Sequence, residues 1–232
     1  VFLMRGFPNK IKKFNLHNFA QQLFLIGIFF LPSAFFFALI FLFVAAFFGS
    51  FNQEKNYLKD PWNIPFIASS FLIITSAILH KYLLPNLYPN IWDENLSLIG
   101  IFNWLPYFWI FWAYQKFLDS NEKRKKLSVA LISGSVPVFI SGFGQYFLNW
   151  RDTIEVFNGL IIWYIKPISS GAGGLSGLFS NPNYAGSWLN IIWPFCLAIF
   201  IEKRKFFYKK IFSIGFLIST GFAIFLTYSR SA

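Results

Sequence analysis

Apolar residues in this chain come in long blocks, and polar residues are confined to the intervals between them. Six uncharged stretches approach the ~20 residues that a helix needs to cross a bilayer. They are Leu23 to Gly49, Ile64 to Leu79 (continuing past His80 and Lys81 to Leu84), Leu96 to Gln115, Leu127 to Trp150, Tyr184 to Ile201 and Ile211 to Tyr228. Backbone groups in lipid must pair within their own segment, so each block predicts a helix. The period-two alternation of a membrane β-strand is absent. Pro32, Pro137 and Pro194 fall inside these blocks and predict kinks, which membrane helices tolerate. Trp62, Trp92, Trp104, Trp150, Trp163 and Trp188 collect near block ends, as interfacial anchors do. The expected fold is all-α: a polytopic transmembrane helix bundle.

Composition strengthens that picture. The 232 residues are 56% hydrophobic and 23% aromatic, with 34 Phe and only 12% charged residues. A soluble domain carries roughly 25% charged residues. So many phenylalanines could not all be hidden from water without large exposed apolar patches.

Charge then orients the bundle. The net charge is +11, and most cations sit in three clusters, Arg5 to Lys13, Lys116 to Lys126 and Lys203 to Lys210. Cations gathered between apolar blocks predict cytoplasmic loops. They form no continuous basic face, and no nucleic-acid-binding motif is present, so nucleic acid is excluded as a partner. Two spans separate the second cluster from the third, which leaves residues 149–187 as an outward loop. Three blocks separate the first from the second, which is an odd number. The block from Leu23 to Gly49 has 27 residues, roughly 40 Å as a straight helix. A bend at Pro32, giving two short segments or a re-entrant hairpin, restores the parity; an outward N-terminus is the alternative.

Within the outward loop, Val156 to Ile165 is apolar but too short to span, and is expected in or near the interface. Ser169 to Gly177 reads as a flexible Gly/Ser stretch. It lacks the Lys-Ser/Thr and the preceding strand of a nucleotide-binding loop. In Asn181-Pro182-Asn183, either asparagine suits a helix cap. A helix start also attracts anions. Arg230 ends the last block: it reads as a snorkelling side chain, or as a phosphate-binding guanidinium in a polar cavity. Asp152 and Glu155 flank Arg151 closely enough for a local ion-paired turn, or to meet a sugar. His17 reads as solvated, and neither it nor His80 has a companion at metal-ligand spacing. The lone Cys196 predicts a packed hydrophobe with no disulfide. The first block is too long for a cleaved signal core. A start at Val1 and a stop just after an apolar block suggest a fragment. No Ser/His/Asp set or carboxylate pair can be assembled.

Two motifs carry a resemblance. The run Gly177-Leu178-Phe179-Ser180-Asn181-Pro182-Asn183-Tyr184-Ala185-Gly186 resembles the Gly-x-Phe-x-Asn-Pro-Asn-x-x-Ala signature of the O-antigen ligase/polymerase family of bacterial membrane glycosyltransferases. Thr227-Tyr228-Ser229-Arg230-Ser231-Ala232 is similar to that family's Thr-x-Ser-Arg-Gly/Ser-Ala pattern. The run Gly134-Ser135-Val136-Pro137 also looks like cyanobacterial-type members. The resemblance implies that residues 1–232 are the N-terminal part of one transmembrane domain in the inner membrane. It implies an enzyme without metal or cofactor that takes a glycan from an undecaprenyl-diphosphate carrier and passes it to a lipid or glycan acceptor. Arg230 would hold the donor diphosphate, with Asn181, Asn183 and Ser229 beside it as substrate-binding residues. The family's catalytic histidine would lie beyond Ala232. Many members carry an arginine before the first motif where this chain has Leu175 and Ser176. Kinked, glycine-containing spans also suit a transporter of the inorganic-carbon type, or a transport-associated subunit.

Overall fold

The computed structural model describes residues 16–51, 53–83, 94–168, 173–201 and 207–229. Over those residues the fold is an all-α bundle with one small β-hairpin. The helices are α1 (Leu16–Phe30), α2 (Phe35–Ser50), α3 (Ile64–Ile78), α4 (Glu94–Ala113), α5 (Asn121–Gly134), α6 (Val136–Phe147), α7 (Pro182–Ile201) and α8 (Phe207–Leu226). Among the described residues, three helical stretches are long and apolar enough to cross a membrane: Pro61–Tyr82, Asn121–Phe147 and Pro182–Ile201.

The block containing Pro32 is two helices. α1 and α2 pack against each other as a hairpin closed by residues 31–34. Small side chains make that contact, through Ala38 and Ala45, and the one with α4, through Ala46 and Gly49. α2 buries Ala38, Ala45, Ala46 and Gly49, which recur on one helical face. Large residues point the other way, with Phe43 59% and Phe47 49% exposed. A water-soluble helix buries its phenylalanines; this one buries its alanines and offers its phenylalanines to the surroundings. Close backbone approach through small residues is how helices associate in lipid, where apolar area supplies no drive of its own. These are the helices of a membrane protein.

Contacts fix the two ends of the bundle. At one end, Gln53 Nε2 donates to Ala113 O at 2.8 Å, and Lys116 pairs with Glu54. Lys123 Nζ, in the same region, lies 3.3 Å from His17 Nε2. The start of α1, the end of α2, the end of α4 and the start of α5 therefore share this basic end. α5 and α6 continue one another through Ser135. Pro137 falls at the second position of α6, where its missing N–H and ring bulk break the helix. α7 and α8 run antiparallel, with Cys196 Sγ 3.5 Å from Thr220 Oγ1. The parity conflict disappears, because four helices rather than three precede Lys116. Residues Arg5 to Lys13 lie outside the described residues, as do 203–206 of the third cluster.

Four expectations need correction. Val156 to Ile165 contributes to a β-hairpin, β1 (Asp152–Val156) against β2 (Ile161–Ile165), antiparallel with Val156 opposite Ile161. Asn158 and Gly159 both have positive φ, 54° and 87°, as the tight turn of a hairpin requires. His17 is not simply solvated. It is half-buried in α1, with its ring 5.7 Å from that of Phe117. Trp163 and Trp188 are internal donors rather than interfacial anchors, giving their indole N–H to Ser33 O (2.6 Å) and Ser135 Oγ (3.0 Å). The fourth correction concerns the Gly/Ser stretch and is described with the site. Cys196 is buried, as a packed hydrophobe should be.

The Trp163 bond ties the β-hairpin to the turn between α1 and α2. Trp163→Phe keeps the ring and removes the donor. A loss of about 1 kcal/mol is expected, the usual worth of one such bond. The accompanying readout is faster tryptic cleavage at Arg151 and Lys166, which flank the hairpin. Unchanged cleavage would show that the bond does not anchor it.

Candidate functional site

The end opposite the basic one gathers the β-hairpin, the loop before α7, the start of α7 and the end of α8. Its centre is residues 174–178. All five are buried, with Leu175 and Ser176 at 1% exposure. The expectation of a flexible Gly/Ser stretch is therefore wrong for this part. The remainder, Ser169 to Ala172, lies outside the described residues.

Two contacts hold the segment down. One is a lone amide in α6. Gln145 is 3% exposed, and its Oε1 accepts from both Ser176 N and Gly177 N at 2.9 Å. Its Nε2 donates to Ser176 Oγ at 3.0 Å and to Lys166 O. One side chain thus satisfies three buried groups, the amides of Ser176 and Gly177 and the Ser176 hydroxyl, and a part-buried carbonyl, that of Lys166. The other contact is with α8, where Leu175 N donates to Leu226 O at 2.8 Å. Gly174 lies so close to Thr227 that an added Cβ would stand 1.8 Å from its carbonyl oxygen. Gly177 has φ +56°, in the left-handed region that favours glycine, and there its chain turns toward Val138. Tyr164 N donates to Leu178 O at 3.1 Å, so β2 closes the other side.

From this anchored loop the chain enters α7. Asn181 Oδ1 accepts from Asn183 N at 2.6 Å, and Pro182 takes the first helical position, where its missing N–H costs nothing. Asn181 is thus the cap. It occupies one N–H that a bound anion could otherwise use. Asn183 itself is exposed. At the end of α8, Thr227 Oγ1 donates to Ile224 O at 2.7 Å and accepts from Ser229 N at 3.2 Å. Tyr228 has φ +50°, so the chain turns sharply just before Arg230. The Tyr228 hydroxyl lies 3.4 Å from that of Tyr146 on α6.

Of the four residues singled out in the sequence, Asn181, Asn183 and Ser229 share this end, and Arg230 lies outside the described residues. Asp152 and Glu155 sit exposed on β1, three residues apart and so on opposite faces of the strand. Arg151 Nη2 donates to Asn149 Oδ1 at 3.2 Å. Sequence reasoning missed Gln145. Its signal was a polar amide inside an otherwise apolar block. No group of three His, Cys, Asp or Glu residues that could hold a metal occurs among the described residues.

No family model, curated protein or solved structure matches this chain.

Proposed function

We propose that this chain belongs to a multi-pass inner-membrane glycosyltransferase of the O-antigen ligase/polymerase type. It would take a glycan from an undecaprenyl-diphosphate carrier and deliver it to a lipid or glycan acceptor. One observation supports the reading most. The loop leading into Asn181-Pro182-Asn183 is bonded to the end of α8 through Leu175 and Leu226 and packed on Thr227 through Gly174. The two motifs on which the resemblance rests, distant in sequence, thus start from neighbouring backbone. They do so at the end away from the basic cluster, which is the outward end under the positive-inside bias.

The chemistry follows from that placement. When the carrier diphosphate leaves the anomeric carbon, negative charge grows on its phosphate oxygens. Arg230, two residues beyond the left-handed turn at Tyr228, would meet that charge with a bidentate guanidinium. Fixed donors in a site shielded from water stabilise such charge far better than solvent does. Ser229 and Asn183 add neutral polar groups at the same end, and Asn181 keeps the helix start rigid. The general base would lie beyond Ala232.

Arg230→Ala in the intact protein should reduce glycan transfer by about 100-fold or more, the usual effect of losing one charge-stabilising donor. Membrane insertion should be unaffected. Polysaccharide ladders on a gel report the first, and protease protection of the loops reports the second. Ladders of normal intensity from a correctly inserted variant would refute the role given to Arg230.

A further inference from the structure

The connection between α2 and α3, residues 53–63, carries its polarity the wrong way round for a loop in water. Two polar side chains are inside it, with Asp60 6% exposed and Asn63 0%. Asp60 Oδ1 accepts from Trp62 N at 3.2 Å, and Asn63 Nδ2 donates to Tyr57 O at 3.0 Å. Those bonds hold two short 3-10 turns, Tyr57–Lys59 and Pro61–Asn63. The large apolar side chains are outside. Leu58 is 73% exposed and Trp62 80%, and Phe51 and Ile64 are exposed at the two ends. The connection is also fastened to the end of α4. Besides the bond from Gln53 to Ala113 O, the Tyr57 ring meets the Trp112 ring edge-on, with centroids 5.7 Å apart.

We infer that this connection is an interfacial wedge: it sits in the headgroup layer at the basic end, with Leu58 and Trp62 turned toward the acyl chains, and it holds the start of α3 at its depth. Continuity supports lipid over a protein partner. Trp62 is the second residue of the spanning stretch Pro61–Tyr82, and Leu58 comes only one turn's length before it. One end runs into a span and the middle is tied to α4, so the exposed side chains cannot stand far from the membrane surface. Chemistry supports the same place. A tryptophan ring combines an apolar body with a polar N–H and favours the interface. Lys55 and Lys59 are exposed in the same connection, and their long stems let the ammonium groups reach water from that depth. α3 also needs such an anchor. Only 11% of its most apolar stretch is buried by the rest of the fold, and it leans on α4 through rings such as Phe66 against Phe108 and Phe111. Weak packing leaves its depth to be set by interfacial side chains.

The test places single nitroxide labels on the purified chain in vesicles of phosphatidylethanolamine and phosphatidylglycerol. Leu58→Cys, Trp62→Cys and Asn56→Cys are made in a Cys196→Ser background, Asn56 being an exposed polar position of the same connection. Collision rates with oxygen, which enters lipid, and with a nickel chelate, which stays in water, are measured by electron paramagnetic resonance. The oxygen-to-nickel ratio at Leu58 and Trp62 should be at least about threefold that at Asn56, as for side chains seated roughly 5–10 Å into the headgroup boundary. Equal ratios at all three positions would put the connection in water and overturn the proposal. Dipolar broadening between Leu58 labels, with both collision rates low, would mean that a second copy covers this surface, and would overturn it too. Leu58→Gln with Trp62→Gln should leave the thermal midpoint in detergent unchanged, because both side chains are mostly exposed. A clear fall would show that they pack within the protein, against the proposal. In vesicles the same pair should lower the ratio of a label at Ile64→Cys, the first residue of α3, by about twofold or more as that end rises toward water. No change there would overturn the role in holding α3.

Discussion

Gln145→Leu is expected to lower stability by about 3 kcal/mol or more, because each buried polar group left without a partner costs about 1–3 kcal/mol. Leucine fills similar space but accepts nothing. Ser176 N and Gly177 N would lose their shared acceptor, and Lys166 O would lose its donor. The thermal midpoint in detergent should fall clearly. Hydrogen exchange should rise first in the peptide covering residues 173–180. Gln145→Glu separates the two halves of the network. A carboxylate keeps the acceptor for both amides but gives up the donor to Lys166 O. It should fall between wild type and leucine in exchange, although burying a charge there adds its own cost. If Gln145→Leu melts like wild type and its loop exchanges no faster, the loop is held by something else.

The second large effect is expected at Gly174. A Cβ there would stand 1.8 Å from Thr227 O and 2.3 Å from Thr227 C, and both are backbone atoms. A flexible side chain could rotate away, but a helix terminus cannot. The loop would have to lift from α8, stretching the bond between Leu175 N and Leu226 O. Gly174→Ala should therefore cost at least the upper part of the ~1–3 kcal/mol range for overpacking, and Gly174→Val more. Gly215→Ala, on α8 with open space where the Cβ would go, is the matched control. It should be neutral, or stabilising by up to ~1 kcal/mol through helix propensity. Under the proposed function, Gly174→Ala should also impair glycan transfer, since the two motif segments would part. A Gly174→Ala protein as stable as wild type would mean the loop and α8 are not in contact.

Much of the architecture was legible because lipid imposes a simple rule on sequence. Uncharged blocks such as Leu127 to Trp150 and Tyr184 to Ile201 had to be helices, since no other local structure satisfies a backbone without water. The bend at Pro32 was one of two readings that the charge parity left open, the other being an outward N-terminus, and the structure shows the bend. The β-hairpin was legible but unread: Asn158-Gly159 is the local turn signal, yet it lies among residues apolar enough to suggest an interfacial segment. The burial of residues 174–178 was not legible. Gly-Gly-Leu-Ser-Gly is the composition of a linker, and only a partner arriving from elsewhere makes it a packed element.

The sequence alone, then, determined the helices, their approximate limits and the basic end, because helix formation in lipid and charge placement both depend on neighbouring residues. The tertiary structure decided that an amide on α6 and the carbonyl of Leu226 on α8 would pin a glycine-rich loop into the bundle. That decision rests on hydrogen bonds and a close contact between residues far apart in the chain, which no local pattern encodes.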